Sequence, residues 1–143
     1  MRGVSQNARF IGPARDAAHP IGEPLATLIH EELRQRGVDV SPPDNWRDSG
    51  WSIACRVADT RLEVVLAATD EDWYLQVAPL DPPGLIRSLM TSRVCASAPA
   101  CLALARQVHA VLSAYGCRQH WCWDGPPADA DPSEPSPLDD APA

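Results

Sequence analysis

The chain contains no lysine: all twelve of its cations are arginine, a substitution that reads as a bias towards GC-rich codons rather than as chemistry. Long apolar runs are missing too. No stretch approaches the roughly 18 uninterrupted apolar residues that a membrane-spanning helix needs, so a soluble protein with no membrane role is expected. Between Met1 and Phe10 stand Arg2 and Arg9 with no apolar block between them, which is not the pattern of a secretory signal; the expected location is the cytoplasm. No Cys-x-x-Cys pair occurs among the five cysteines, Cys55, Cys95, Cys101, Cys117 and Cys122. An odd, irregularly spaced set without a signal segment is expected to stay reduced. The eight glycines are scattered at turns, so no loop offers the run of backbone amides that cradles a phosphate. Serine-hydrolase elbows and dinucleotide fingerprints are equally missing, and no cofactor is expected.

What is there is an ordinary globular balance, 45% hydrophobic and 22% charged residues, in a chain long enough for one core and short for two. The net charge of −7 is unevenly spread. From Asp124 onward come six acids (Asp124, Asp129, Asp131, Glu134, Asp139, Asp140), six prolines and no base. Removing those six from the nineteen acids leaves thirteen against twelve arginines, a charge of −1 for residues 1–123. The part expected to fold is therefore nearly neutral and lacks the basic footprint of a nucleic-acid binder. Residues 124–143 have Leu138 as their one large apolar side chain. Such a composition cannot offset its ordering entropy, and a disordered acidic tail is expected. Residues 1–20 show no periodicity and read as a poorly ordered lead-in, leaving a single domain over 21–123.

Within that domain the hydrophobic period changes twice. Leu25, Leu28, Ile29 and Leu33 recur at helical spacing after Pro24, and Gly37 supplies a left-handed stop. Pro42 and Pro43 forbid continuation, and residues 44–50 read as a loop. Trp51, Ile53, Cys55 and Val57 then alternate with polar or small residues. So do Leu62, Val64, Leu66 and Ala68, and after them Trp73, Leu75 and Val77. With short links at Asp59-Thr60 and residues 69–72, this predicts an antiparallel meander. Leu85, Ile86, Leu89 and Met90 suggest a short helix. A longer one follows, with Ser97 as cap, Pro99 in the first turn, a stripe of Cys101, Leu104, Ala105, Val108, Leu112 and Tyr115, and Gly116 as stop. Trp121 and Trp123 mark a final strand. The expected fold is α+β, a three- to four-stranded antiparallel sheet with two main helices packed on one face.

Three groupings invite a chemical reading. His30-Glu31-Glu32-Leu33-Arg34 begins like a zinc-protease helix, but that motif needs a second imidazole one turn later and position 34 is Arg; a solvated helix face is expected. Cys117, His120 and Cys122, with Cys95 and Cys101, are soft ligands at spacings that do not suit zinc, and Cys101 lies on an apolar stripe where a thiol acts as a small hydrophobe. No metal site is expected. A cysteine paired with His109 or His120 is too common a coincidence to define a nucleophile, so no catalytic residue is assigned and the chain reads as a non-enzyme. The third grouping is aromatic. Trp51, Trp73, Trp121 and Trp123 fall at strand positions suited to a core. Trp46 lies instead in a polar run with Asp44, Arg47 and Asp48, the make-up of a protein-binding hot spot. The competing reading folds Trp46 back as a lid over the helix–sheet core.

The run Asp44-Asn45-Trp46-Arg47-Asp48-Ser49-Gly50-Trp51, then Trp73-Tyr74-Leu75, then Trp121-Cys122-Trp123-Asp124-Gly125, resembles small bacterial proteins of the immunity type over about residues 10–125. The resemblance implies a single-domain cytoplasmic protein that binds and blocks a cognate toxin. Such families share no site motif, so no functional residue carries over. The expected function is non-catalytic protein binding, with Asp44, Trp46, Arg47 and Asp48 as the partner-binding residues. A secretion chaperone for an effector protein is the alternative, and a small Cys/His enzyme a further one. The expected partner is another protein, toxin or effector, with no nucleic acid and no membrane; the sequence leaves the oligomeric state open.

Overall fold

A computed structural model describes residues 5–13, 21–69, 72–80 and 98–123. Along the chain these form β1 (Gln6–Ile11), α1 (Glu23–Gln35), β2 (Asp39–Val40), β3 (Asp44–Trp46), β4 (Gly50–Val57), β5 (Thr60–Ala68), β6 (Trp73–Pro79), α2 (Ala98–Ala114) and β7 (Arg118–Trp123). The strands build one antiparallel sheet in the order β2-β4-β5-β6-β1-β7, with β3 also pairing to β4. The fold is α+β as the hydrophobic periods imply, but among the described residues the sheet has seven strands rather than three or four.

Three added strands account for the difference. Residues 1–20 are not simply a lead-in: Gln6–Ile11 form a strand paired on both sides, to β6 and to β7. Asp44–Trp46, read as loop, turn back along the start of β4, and Asp39–Val40 add a further short pairing to its other end. The predicted short helix around Leu85–Met90, the Ser97 cap, Cys95 and the acidic tail lie outside the described residues.

The two helices end alike, for the same reason. After α1, Gly37 adopts φ 85°, its N–H donates to Arg34 O at 3.0 Å and the Val38 N–H to Leu33 O at 3.0 Å. After α2, Gly116 has φ 76°, donating to Ser113 O, while the Cys117 N–H reaches Leu112 O, both at 3.0 Å. In each, a left-handed glycine lets two amides satisfy carbonyls that a helix end leaves unpaired, with an apolar residue following to pack inward. Tyr115, expected on the buried stripe, sits in this cap region and is exposed, donating its hydroxyl to Glu32 Oε1 of α1 at 3.1 Å.

Helix residues Leu25, Ala26, Ile29 and Leu33 of α1 and Cys101, Leu104, Ala105, Val108, Val111 and Leu112 of α2 close over one sheet face, made by Ala8, Phe10, Ile53, Cys55, Leu62, Val64, Leu66, Trp73, Leu75, Val77 and Trp121. Trp51 is partly buried against this core, while Trp73 and Trp121 are inside it, 2% and 0% exposed. Phe10 and Trp73, directly paired across β1 and β6, stack with centroids 6.4 Å apart. Among the described residues no helix is long and apolar enough to cross a membrane.

Candidate functional site

The arm formed by β3 and the start of β4 carries all four residues that the sequence singled out. After Pro42 and Pro43 the chain reverses through Arg47 and Asp48, both left-handed with φ 54° and 55°. Consecutive positive φ values define the hairpin turn whose twist matches the flanking strands, and Asn and Asp tolerate that region better than most residues. Asn45 pins it: its Oδ1 accepts the Asp48 N–H at 2.8 Å, and its Nδ2 donates to Asp48 Oδ1 at 3.1 Å. The Ser49 N–H closes the turn on Trp46 O at 2.9 Å, and Asp44 Oδ1 accepts the Asn45 N–H at 2.9 Å. The guanidinium of Arg47 lies 5.1 Å from the centre of the Trp46 ring, within the range of a cation–π contact.

The register decides which way this arm faces. Asp44 stands opposite Ser52 and Trp46 opposite Gly50, on the sheet face turned away from α1 and α2, because Trp51 and Ile53 occupy the other. Trp46 is half-buried and is not among the side chains that pack on the helix–sheet core, whereas Trp51 is. The lid reading of Trp46 therefore fails. Asp44, Arg47 and Asp48 are exposed. Gly50 cannot be replaced freely, since a Cβ there would meet the Leu66 carbonyl oxygen at 2.2 Å.

Following the pairings across the sheet, Trp46 begins a row that continues through Gly50, Ala67, Tyr74, Arg9 and His120. Beside it runs Asp44, Ser52, Val65, Gln76, Asn7 and Cys122. This face is polar and internally bonded. Asn7 Oδ1 accepts from the Tyr74 hydroxyl and, at 3.2 Å, from Gln76 Nε2; Arg9 pairs with Asp72 at 3.2 Å; Ser52 donates to Glu63 at 3.1 Å. Burial, with the neighbouring Cys122 as a lesser cause, raises the Tyr74 phenol above its ordinary range. None of Asn7, Tyr74 or Gln76 was singled out from the sequence. Asn7 alternates with Ala8, Arg9 and Phe10 over only four residues, while Tyr74 and Gln76 are the outward positions between Trp73, Leu75 and Val77.

The chemical alternatives fare differently. Glu31 of the His30-Glu31 run pairs with Arg34 at 2.8 Å and lies 3.4 Å from His30; the Arg34 hydrogen bond and charge hold it below the usual carboxylate range. Cys55 donates to Ile53 O at 3.6 Å and Cys101 to Val77 O at 3.0 Å. Burial pushes both thiols up to about 12, opposite to the shift a thiolate nucleophile requires. Cys117 is raised by burial as well. His109 Nδ1 lies 3.0 Å from Gln119 Oε1, which also accepts Trp121 Nε1–H at 2.9 Å; with the oxygen accepting from both, His109 carries its proton on Nδ1. Among the described residues no group of three His, Cys, Asp or Glu side chains could hold a metal ion.

The buried thiols have a consequence for pH. Their folded pKa values stand above those of the unfolded chain, so their contribution is complete below about pH 8.5, the ordinary thiol value, and is lost as pH rises towards about 12. Stability is expected to fall by on the order of a few kcal/mol across that window. Thermal unfolding followed from pH 8 to 11.5 checks this, and a Cys55→Ala/Cys101→Ala variant should show a shallower alkaline decline.

Comparison with protein-family models, with curated proteins and with solved structures finds no match for this chain.

Proposed function

We propose that this chain is a non-catalytic protein-binding domain, an immunity protein that neutralises a cognate bacterial toxin in the cytoplasm, and that the β3–β4 arm is its principal contact. The observation that carries the reading is the pairing of Trp46 with Arg47 on a turn pinned by Asn45 and Asp48. Tryptophan and arginine are the residue types that dominate binding energy at protein interfaces. An anchor already held in one conformation loses less entropy when a partner docks on it. Asp44 and Asp48 supply a charged rim around that anchor, which favours orientation and encounter rate over raw affinity. The high thiol pKa values of Cys55 and Cys101 speak against the rival reading of a cysteine–histidine enzyme.

The test is titration calorimetry of the chain against folded toxin domains encoded by neighbouring genes. A one-to-one complex is expected, and Trp46→Ala should weaken it by roughly 30-fold or more while leaving the unfolding midpoint nearly unchanged. A stable homodimer that holds an unfolded effector segment would instead establish the secretion-chaperone alternative. Retention of full affinity by Trp46→Ala would remove the arm from the interface.

A further inference from the structure

The β3–β4 turn carries hydrogen-bond donors that meet no acceptor. The Arg47 guanidinium rests over the Trp46 ring, 5.1 Å from its centre, and among the described residues no hydrogen bond or ion pair engages its N–H groups. The Trp46 indole N–H likewise has no acceptor there. Because that N–H belongs to the ring over which the guanidinium lies, the two sets of donors are neighbours. We infer that Arg47 and Trp46 together form a receptor for one carboxylate, an Asp or Glu side chain of the partner protein. The inference rests on the protein-binding reading above and names the chemistry that the partner brings to the arm.

The acids of the arm do not fill this role. Asp44 Oδ1 accepts the Asn45 N–H at 2.9 Å, Asp48 Oδ1 accepts from Asn45 Nδ2 at 3.1 Å, and neither carboxylate forms an ion pair with Arg47. Arg36 is also exposed and without a side-chain partner, so an unpaired cation by itself marks nothing. Arg47 differs in being held. Its backbone and that of Asp48 stand in the left-handed region, φ 54° and 55°, in a turn closed by the Ser49 N–H on Trp46 O at 2.9 Å. Its side chain lies against the indole. A guanidinium already stacked gives up less rotamer freedom on meeting an anion, and its planar fork matches the two oxygens of a carboxylate.

Access and charge both favour a carboxylate borne by a protein. Trp46 stands opposite Gly50, which pairs in turn with Ala67, and Ala67 with Tyr74. In that row no side chain longer than a methyl group lies between the indole and the Tyr74 ring, and the Tyr74 hydroxyl is already committed to Asn7 Oδ1. The apolar stem of an acidic side chain has room beside the indole while its carboxylate meets Arg47. Asp44 and Asp48 against Arg47 leave the arm with one net negative charge. A phosphate monoester, with its larger charge, is repelled more strongly by the two flanking acids than a monoanionic carboxylate that makes the same paired hydrogen bonds. A nucleic acid would bring a row of phosphates that one arginine between two acids does not neutralise.

The experiment uses the full-length chain. Indole and arginine Nε–H resonances of ¹⁵N-labelled protein are followed during titration with sodium acetate, and separately with inorganic phosphate, sodium chloride holding the ionic strength constant. Acetate is expected to move Arg47 Nε–H and Trp46 Nε1–H along one saturable curve, at several-fold lower concentration than it moves Arg36. In Arg47→Lys, which keeps the charge at an exposed position and should leave the fold intact, the indole response is expected to vanish. Arg47 and Trp46 moving no sooner than Arg36, an undiminished indole response in Arg47→Lys, or saturation by phosphate at lower concentration than by acetate would each overturn the proposal. In the toxin complex, Arg47→Lys is expected to weaken binding by about ten-fold or more, since a point charge does not replace the fork. Acetate binding together with an unchanged toxin affinity in Arg47→Lys would assign the site to a free small carboxylate and overturn the partner-borne one. Failure to find any toxin complex would remove the immunity reading and leave the acetate titration to decide the receptor.

Discussion

Trp121→Ala is expected to lower the free energy of unfolding by about 3–5 kcal/mol, the largest loss from any single truncation on the sheet. Trp121 is completely buried on β7, directly opposite Ala8 of β1. Its removal opens a cavity that a small neighbour on the adjacent strand cannot fill, and cavity volume adds to the lost transfer energy. The indole also donates to Gln119 Oε1 at 2.9 Å. Gln119, 1% exposed, is otherwise held by His109, Ser113 and the Cys117 carbonyl, so the truncation loosens the junction of α2 and β7 as well. Against a typical total of about 5–15 kcal/mol, such a loss takes much of the stability away. Urea denaturation with an unchanged m-value and a lowered midpoint is the expected record; a midpoint within experimental scatter of the natural chain would contradict the burial described for Trp121.

The second large effect has the opposite sign. Gln6 is fully buried on the core side of β1, and neither its Nε2 nor its Oε1 has a hydrogen-bond partner. A buried amide without partners costs about 1–3 kcal/mol. Gln6→Met keeps the length of the side chain and removes both polar atoms, and is expected to raise stability by about 1–3 kcal/mol. Gln119→Met supplies the contrast. It removes the same amide from a position where each end is bonded, strands the Trp121 N–H and His109 Nδ1, and should destabilise by a comparable amount. Thermal unfolding of the two variants side by side is the measurement. Stabilisation by both, or loss by both, would show that the two amides are not in the different environments described.

The helices and the central meander were legible because each carries its own period. Leu25, Ile29 and Leu33 declare a helix locally, as Ile53, Cys55, Leu62, Val64 and Leu66 declare strands, with Gly37 and Gly116 marking stops whose left-handed φ only glycine adopts without strain. The flanking strands gave no such signal. β1 is Gln6-Asn7-Ala8-Arg9-Phe10-Ile11, with a polar amide at a core position, one small residue and one large one facing inward. β2 and β3 are two and three residues long, below the length at which alternation can be told from chance. What makes them strands is the partner beside them. Of the candidate site, the identities of Asp44, Trp46, Arg47 and Asp48 were readable; the turn that Asn45 pins was not. The row that extends from Trp46 through Tyr74 and Arg9 to His120 was not, since it joins positions far apart in the chain.

Local composition thus determined where helices and the three middle strands begin and end, because periodicity, proline and left-handed glycine act within a few residues of backbone. The membership of Gln6–Ile11 in the sheet and the face on which Trp46 stands were decided only in three dimensions. Each depends on backbone amides and carbonyls finding partners across long stretches of chain, an energy that no single segment carries by itself.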